Sequence, residues 1–452
     1  MTDRSSDGAQ MPPSGVRPSW SRSKRPIARR IVQPLQAFLE TETSSAILLL
    51  GATIVALLWA NSPFGDSYER FWSTNLTIGV GDWATSYDLR GWVSNGLMTL
   101  FFLVVGLEIK RELLTGELRE WRAAVVPVAA AVGGMVVPAV IYLALTAGSD
   151  AAQGFGIAMP TDVVFALGVL ALVGRLPPGL KAILLTLAIV DDLGSVLVVA
   201  FAYRGGVEWQ PLAIALASLA VYGLLWRINV RALIVYVALG IAAWVALGEA
   251  GVSPTLAGVA LGFLTPAVAF QRPRTVSQEA HRVADETVDE PEPPDADAPH
   301  WLYLGHLSRE AVSPLARAEA FLLPWASYLV VPLFALAFAG IDLSGKALTD
   351  AATSRMGFGI LVSRVVGKPL GIGLVTLVAL WLGASLPGDV RGRHVLGLGV
   401  VAGIPFTVSL YIAEISLPVA LIPTGTVAIL LAAFVAGALG LVVLPGRPRI
   451  RS

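Results

Sequence analysis

The chain has 452 residues, 55% hydrophobic and 14% charged, with a mean hydropathy of +0.71 and a formal net charge of zero. A soluble domain carries about a quarter charged residues, so this composition excludes an ordinary soluble domain and describes a polytopic membrane protein. With no cysteine, disulfides, thiolate metal sites and thiol chemistry are excluded as well.

Residues 1–43 begin with a polar, Pro/Ser-rich, basic stretch that lacks the apolar core of a signal peptide. They are expected to form a disordered cytosolic tail. A bilayer core of about 30 Å needs about 20 apolar residues per helix. Windows of that kind lie at 44–61, 92–113, 123–147, 154–174, 180–203, 209–226, 232–248 and 252–269, placing helices 1–8 within 44–270. Between the first two, "NLTIGVGDWATSYDL" (Asn75 to Leu89) alternates polar and apolar residues around Gly-Asp and predicts a β-hairpin at about 74–90. An acidic, Pro-rich loop at 271–317 has few large apolar residues and is expected to be largely disordered. Helices 9–12 follow within 318–446, at 319–340, 357–383, 394–416 and 418–445, before a short tail at 447–452. The predicted fold class is an all-α polytopic membrane protein of about twelve transmembrane helices with a small β-hairpin.

Orientation follows from lysine and arginine, which gather on the cytoplasmic side of bilayers. With the N-terminus inside, 25 of the 32 basic residues fall in cytoplasmic segments and 5 in outer ones. Both termini are therefore predicted to be cytoplasmic and the hairpin external. The remaining two, Arg364 and Lys368, lie within a span. The four histidines (His281, His300, His306, His394) lie in loops or at a helix edge, so a histidine relay inside the membrane is not expected.

A charge at mid-helix costs roughly 2.5–3.5 kcal/mol on insertion scales, which makes an intramembrane charge functional by default. The candidates are Asp162 in "GIAMPTDVVFALG", Asp191 and Asp192 in "LAIVDDLGSVLVV", and Lys368 in "RVVGKPLGIG" with its neighbour Arg364. Asp191, Asp192 and Lys368 each lie about 11 residues, or ~16 Å, inside their spans, near the midplane. Adjacent helical residues point about 100° apart, so the two aspartates cannot both face one small ion. One is expected to pair with Lys368 and the other to face a water-filled cavity, exchanging a proton for a hard cation that prefers oxygen ligands. A plain structural ion pair between two helices is the competing reading. Glu108 and Glu112, in "GLEIKREL" among Lys110, Arg111, Arg119 and Arg122, form either an interfacial salt-bridged helix end or a pH-responsive cation funnel that Glu319 could join.

Two segments place Gly, Pro and Thr in the middle of a span: "GIAMPTD", with Pro160 and Thr161, and "AGIPFTVS", with Gly403, Pro405 and Thr407. Gly and Pro weaken or break helices, and freed backbone groups at membrane depth survive only where they line a cavity or are buried in protein. The pairing predicts two broken helices, around 156–162 and 402–409, in corresponding halves made of spans 3–5 and 10–12. Asp162 would offset the positive half-helix ends and Lys368 the negative ones.

The segments "FFLVVGLEIKREL", "PTDVVFALGVLALVG", "LAIVDDLGSV", "GVSPTLAGVALGF", "PWASYLVVPLFALAFAG", "GKPLGI" and "GIPFTVSLYIA" occur in an order and spacing that resembles the NhaA-type Na+/H+ antiporters, from about Ser44 to the twelfth span. The resemblance implies a twelve-helix inverted repeat, and this family is itself a standard example of broken helices marking a transporter site. It further implies electrogenic, pH-regulated exchange of Na+ or Li+ for H+ at the bacterial inner membrane, serving sodium and pH homeostasis. Homodimers joined through the outer hairpin are implied too, with no cofactor and no nucleic-acid partner. By motif, Asp192 resembles the principal cation ligand and Asp191 its partner carboxylate, paired with Lys368. Thr161 and Asp162 match the broken-helix residues, and Glu108, Glu112 and Glu319 the cytoplasmic pH-responsive carboxylates. This chain departs from the family pattern at Ser253 and Leu323, where histidines are common, at Pro405 in place of glycine, at Phe338 in place of an amide, and at Arg364 in place of an apolar residue.

Two alternatives keep the fold: a Na+-coupled organic anion transporter, and a non-transporting membrane sensor. The first lacks paired polar or aromatic residues suited to a larger solute, and the second leaves the costly charges without purpose. An enzyme is not expected, because "GKPLG" lacks the spacing of a phosphate loop and no Ser/His/Asp set is present.

Overall fold

The computed structural model describes residues 44–80, 83–116, 119, 121–173, 176–202, 206–286, 297–384, 386 and 390–444. The predicted tails at 1–43 and 447–452 and the centre of the acidic loop at 287–296 lie outside the described residues.

Hydrocarbon offers no hydrogen-bond partners, so each apolar window resolves its backbone by becoming helical. Among the described residues, seven helices are long and apolar enough to cross a bilayer: Leu89–Thr115, Ala124–Thr146, Gly179–Ala202, Trp209–Arg227, Pro314–Phe338, Arg355–Trp381 and Val419–Val443. Two shorter apolar helices, Leu233–Glu249 and Thr255–Leu264, accompany them. Three further pairs are bent: Ser44–Ala60 with Gly65–Trp72 by 115°, and Asp150–Ala158 with Val163–Val173 and Gly392–Ala402 with Thr407–Ser416 by 49° each.

The structure corrects the window at 252–269, which is helical only over Thr255–Leu264. Proline disfavours the α conformation in the residue before it, and Thr265, ahead of Pro266, duly turns to ψ 129°. A second correction concerns the acidic loop. Helices Pro273–Glu286 and Ala298–Glu310 occupy much of the segment expected to be disordered. In the first, Val276 and Val283 are buried, and Arg282 pairs with Glu279 and Glu286 at 2.5 and 2.7 Å. That guanidinium holds the Glu279 carboxyl below the usual carboxylate range. Ion pairs at these helical spacings support a helix that little burial stabilises.

The hairpin forms where expected, with strands Asn75–Val80 and Trp83–Asp88 paired antiparallel, Thr77 opposite Ser86. The sharp bend after Ala60 is held from the far side of the chain. Asn61 donates its amide to the Ile341 carbonyl at 2.7 Å, and the Tyr68 hydroxyl reaches the Leu336 and Ala337 carbonyls at 2.9 and 2.8 Å.

Two close helix contacts position the membrane core. Small residues let helix backbones approach in lipid, where apolar burial alone gives no drive to associate. A methyl group on Gly371 would come within 2.1 Å of the Gly133 carbonyl oxygen, so Ala124–Thr146 and Arg355–Trp381 touch backbone to backbone. Gly258 stands equally close to Thr99, where a methyl would meet the carbonyl oxygen at 2.2 Å. Within Arg355–Trp381 the backbone widens into a π-turn at Ser363–Gly367. Pro369 follows, and its missing N–H cannot continue the α-helical ladder.

Candidate functional site

The two helix breaks abut. The Asp162 N–H donates to the Ile404 carbonyl at 3.0 Å, and Thr161 Oγ1 lies 2.9 Å from the Ala402 carbonyl oxygen. Pro160 and Thr161 occupy one break and Gly403 and Pro405 the other, all buried. Pro405 contributes no N–H, and a methyl on Gly403 would meet the Arg364 carbonyl oxygen at 2.7 Å. Asp162 serves both half-helices that start here. Its Oδ1 accepts the Phe165 N–H at 3.1 Å, while Oδ2 accepts the Thr407 N–H and hydroxyl at 3.1 and 2.9 Å. A carboxylate at a helix N-terminus satisfies orphan donors and meets the positive end of the dipole. Here one side chain does this for Val163–Val173 and for Thr407–Ser416 together.

The opposite end is met by cations. Lys368 and Arg364, one turn apart on Arg355–Trp381, are both 0% exposed. Lys368 Nζ donates to the Met159 carbonyl at 2.5 Å, just past the end of Asp150–Ala158. Arg364 donates to the Ala158 carbonyl at 3.2 Å, to the Pro160 carbonyl, and to Ser409 Oγ at 2.8 Å. Ser409 passes its own proton to the Ile157 carbonyl at 3.1 Å, tying the second interrupted helix to the first. Lysine was the expected partner of this negative end; the arginine's share in it was not. Its in-span position was visible in the sequence, but the carbonyls it reaches belong to a segment some 200 residues away.

Asp191 and Asp192 sit on Pro178–Ala202. Asp191 is 0% exposed, and its Oδ2 accepts from Lys368 Nζ and from Thr161 Oγ1, both at 2.6 Å. Thr161 has one proton to share between Asp191 and the Ala402 carbonyl. Asp191 Oδ1 and Asp192 Oδ1 are both buried without a hydrogen-bond partner. Asp192 is only half-buried and lies within electrostatic range of Asp191, Glu108 and Asp162. Of the two aspartates, Asp191 is the one that pairs with Lys368, at 2.6 Å.

Toward the predicted cytoplasmic end, Arg111 pairs with buried Glu319 and stands 3.8 Å from Glu108. Glu112 lies in electrostatic range of Glu108, its carboxylate folded over Gly116. Lys110 turns away and donates to the Phe263 and Thr265 carbonyls at 2.6 Å each, completing the end of the short Thr255–Leu264 helix.

Sequence reasoning missed a partly buried triangle of hydroxyls: Tyr411 lies 2.6 Å from Ser253 and 2.7 Å from Thr255, which are 2.7 Å from each other. In the sequence Ser253 stands out only for the histidine it replaces. Phe338 stacks on Phe334 with ring centroids 4.5 Å apart, which gives the departure from an amide a packing role.

Comparison with known proteins bears on this assembly. The family model described as Na+/H+ antiporter 1 matches residues 36–444. The Na(+)/H(+) antiporter NhaA 2 of Sorangium cellulosum is 44% identical over 404 residues, covering 88% of this chain and 86% of that protein. The Na(+)/H(+) antiporter NhaA of Cupriavidus necator is 42% identical over 424 residues, covering 92% and 90%. That of Anaeromyxobacter sp. is 41% identical over 435 residues, covering 94% of each. The matched region takes in every residue of the helix crossing, and the chain belongs to the Na+/H+ antiporter 1 family.

Proposed function

We propose that the protein is an electrogenic secondary antiporter that exchanges cytoplasmic Na+, or Li+, for external H+ across the bacterial inner membrane. The observation that carries the reading is the unequal treatment of two adjacent carboxylates. Each keeps one buried oxygen without a partner, but Asp191 is held through its other oxygen by both Lys368 and Thr161, and those two bonds leave Asp192 aside. Leaving a buried acceptor unsatisfied costs ~1–3 kcal/mol. A site that must bind a sodium ion in one state and a proton in the next has reason to bear that cost. Family membership and the names of the relatives support the same reaction.

In this reading Asp192 is the principal ligand of the transported ion, Asp191 contributes when its pair with Lys368 loosens, and Thr161 and Asp162 hold the crossing. Glu108, Glu112 and Glu319 gather cations and respond to pH at the cytoplasmic mouth. Taking each bent pair and each short apolar helix as one span gives twelve spans, with spans 3–5 and 10–12 as inverted halves and both termini cytoplasmic. The exposed hairpin, with Leu76 and Ile78 about half exposed, is the surface through which two copies pair.

The reading is tested in everted vesicles from antiporter-deficient cells holding a preformed proton gradient reported by a dye. Added NaCl or LiCl dissipates the gradient over a defined pH range, and KCl does not. Silence toward all three salts at every pH, from correctly inserted protein, would overturn it.

A further inference from the structure

Arg364 is the one charged residue of the crossing that the antiport reading leaves unused. It is 0% exposed, yet it spends three donor contacts on two interrupted helices: the Ala158 and Pro160 carbonyls of one and Ser409 of the other. Its Nε is buried without a partner. A guanidinium stays protonated under all ordinary conditions and presents a rigid fork of donors, whereas an ammonium is a mobile point charge. The charged groups that face it are Asp191 on the Pro178–Ala202 helix, Asp162 in the first break, and Lys368 on its own helix. Asp192 lies beside Asp191, within electrostatic range of Lys368. Three carboxylates thus face two cations, of which only Lys368 is paired with one of them directly.

We propose that Arg364 is the standing countercharge of the crossing: it clamps the two interrupted helices alongside Lys368 and, by reducing the core's negative charge, weakens the hold on the transported sodium ion. With the carbonyl end of the first half-helix held at Ala158 and Pro160 by a cation that never leaves, Lys368 can release Asp191 during the cycle without uncapping that end. The inference rests on the antiport reading and adds a residue that sets cation affinity.

Charge and clamp are separable by substitution. Arg364→Gln removes the charge and keeps amide donors; Arg364→Lys keeps the charge and loses the fork. Sodium-dependent gradient dissipation is measured at the alkaline end of the activity range, where protons compete least, together with melting in detergent. Arg364→Gln is expected to lower the KM for Na+ roughly tenfold and to lower kcat, because release slows. Arg364→Lys is expected to keep the KM within about twofold while melting roughly 5 °C lower. An active wild type whose Arg364→Gln variant shows an unchanged or raised KM would overturn the countercharge, and unchanged melting of Arg364→Lys would overturn the clamp. An inactive wild type would instead overturn the antiport reading and this inference with it.

Discussion

Asp191 and Lys368 lie 177 residues apart in sequence and 2.6 Å apart in space, each with no exposure to solvent. Two charges in low dielectric hold each other only when further partners satisfy them. Here Thr161 supplies one to the aspartate and the Met159 carbonyl one to the lysine. The pair therefore joins the Pro178–Ala202 and Arg355–Trp381 helices to the first helix break, which is why a single substitution there reaches all three.

Removing one member strands the other, and removing both does not. Lys368→Met or Asp191→Asn alone is expected to destabilise the protein by about 3–5 kcal/mol, and the double variant by less than the sum of the two. Melting of the four proteins in one detergent reads the coupling directly; additive losses would show that the pair stabilises nothing.

Asp162 carries a different kind of load. Asp162→Ala strips capping from Val163–Val173 and Thr407–Ser416 at once, at about 1 kcal/mol for each terminus, whereas Asp162→Asn retains an acceptor for one of them. Melting is expected to fall in the order wild type, Asn, Ala, with transport reduced at least tenfold in the alanine variant. Equal melting of all three would contradict the double cap.

The backbone contact between Gly133 and Gly371 leaves no room for a methyl. Gly371→Ala is expected to push apart the two helices that meet there and shift Lys368, three residues away, from Asp191. Misplacement of about 1 Å near a reacting centre costs on the order of a hundredfold in rate. Sodium-driven turnover and melting should both fall, while Gly345→Ala, with open space around its Cα, leaves both unchanged.

Glu319 is held by Arg111 beside Glu108. Glu319→Gln leaves the acidic cluster with one negative charge fewer, so it binds protons less readily. The activity profile is expected to move toward acid by roughly half to one pH unit with the maximal rate within about threefold. A scan of turnover against pH measures it; an unmoved profile would reduce the cluster to an interfacial salt bridge.

Much of this was legible because burial of charge is costly. Asp162, Asp191, Asp192 and Lys368 stand out in any hydropathy reading, and the helix-breaking residues at Pro160 and Gly403 mark the crossing. What those residues touch was less legible. Arg364 reads from sequence as a stray charge, and only the fold brings the Ala158 and Pro160 carbonyls and Ser409 to it. The triangle of Ser253, Thr255 and Tyr411 joins two distant spans through small polar groups that carry no periodic signal. The helix Pro273–Glu286 goes unpredicted because polar composition masks a stripe of only two buried residues, Val276 and Val283.

The central claim is that Asp192, free of the lysine, exchanges the proton for the cation. It is tested most directly by Asp192→Asn in everted vesicles, with melting measured on the same preparation. The account predicts no sodium- or lithium-driven dissipation at any pH from a protein that melts at or above the wild-type temperature, since an amide removes a partly buried charge and keeps the shape. Sodium-driven exchange at near wild-type rates by that variant would contradict it.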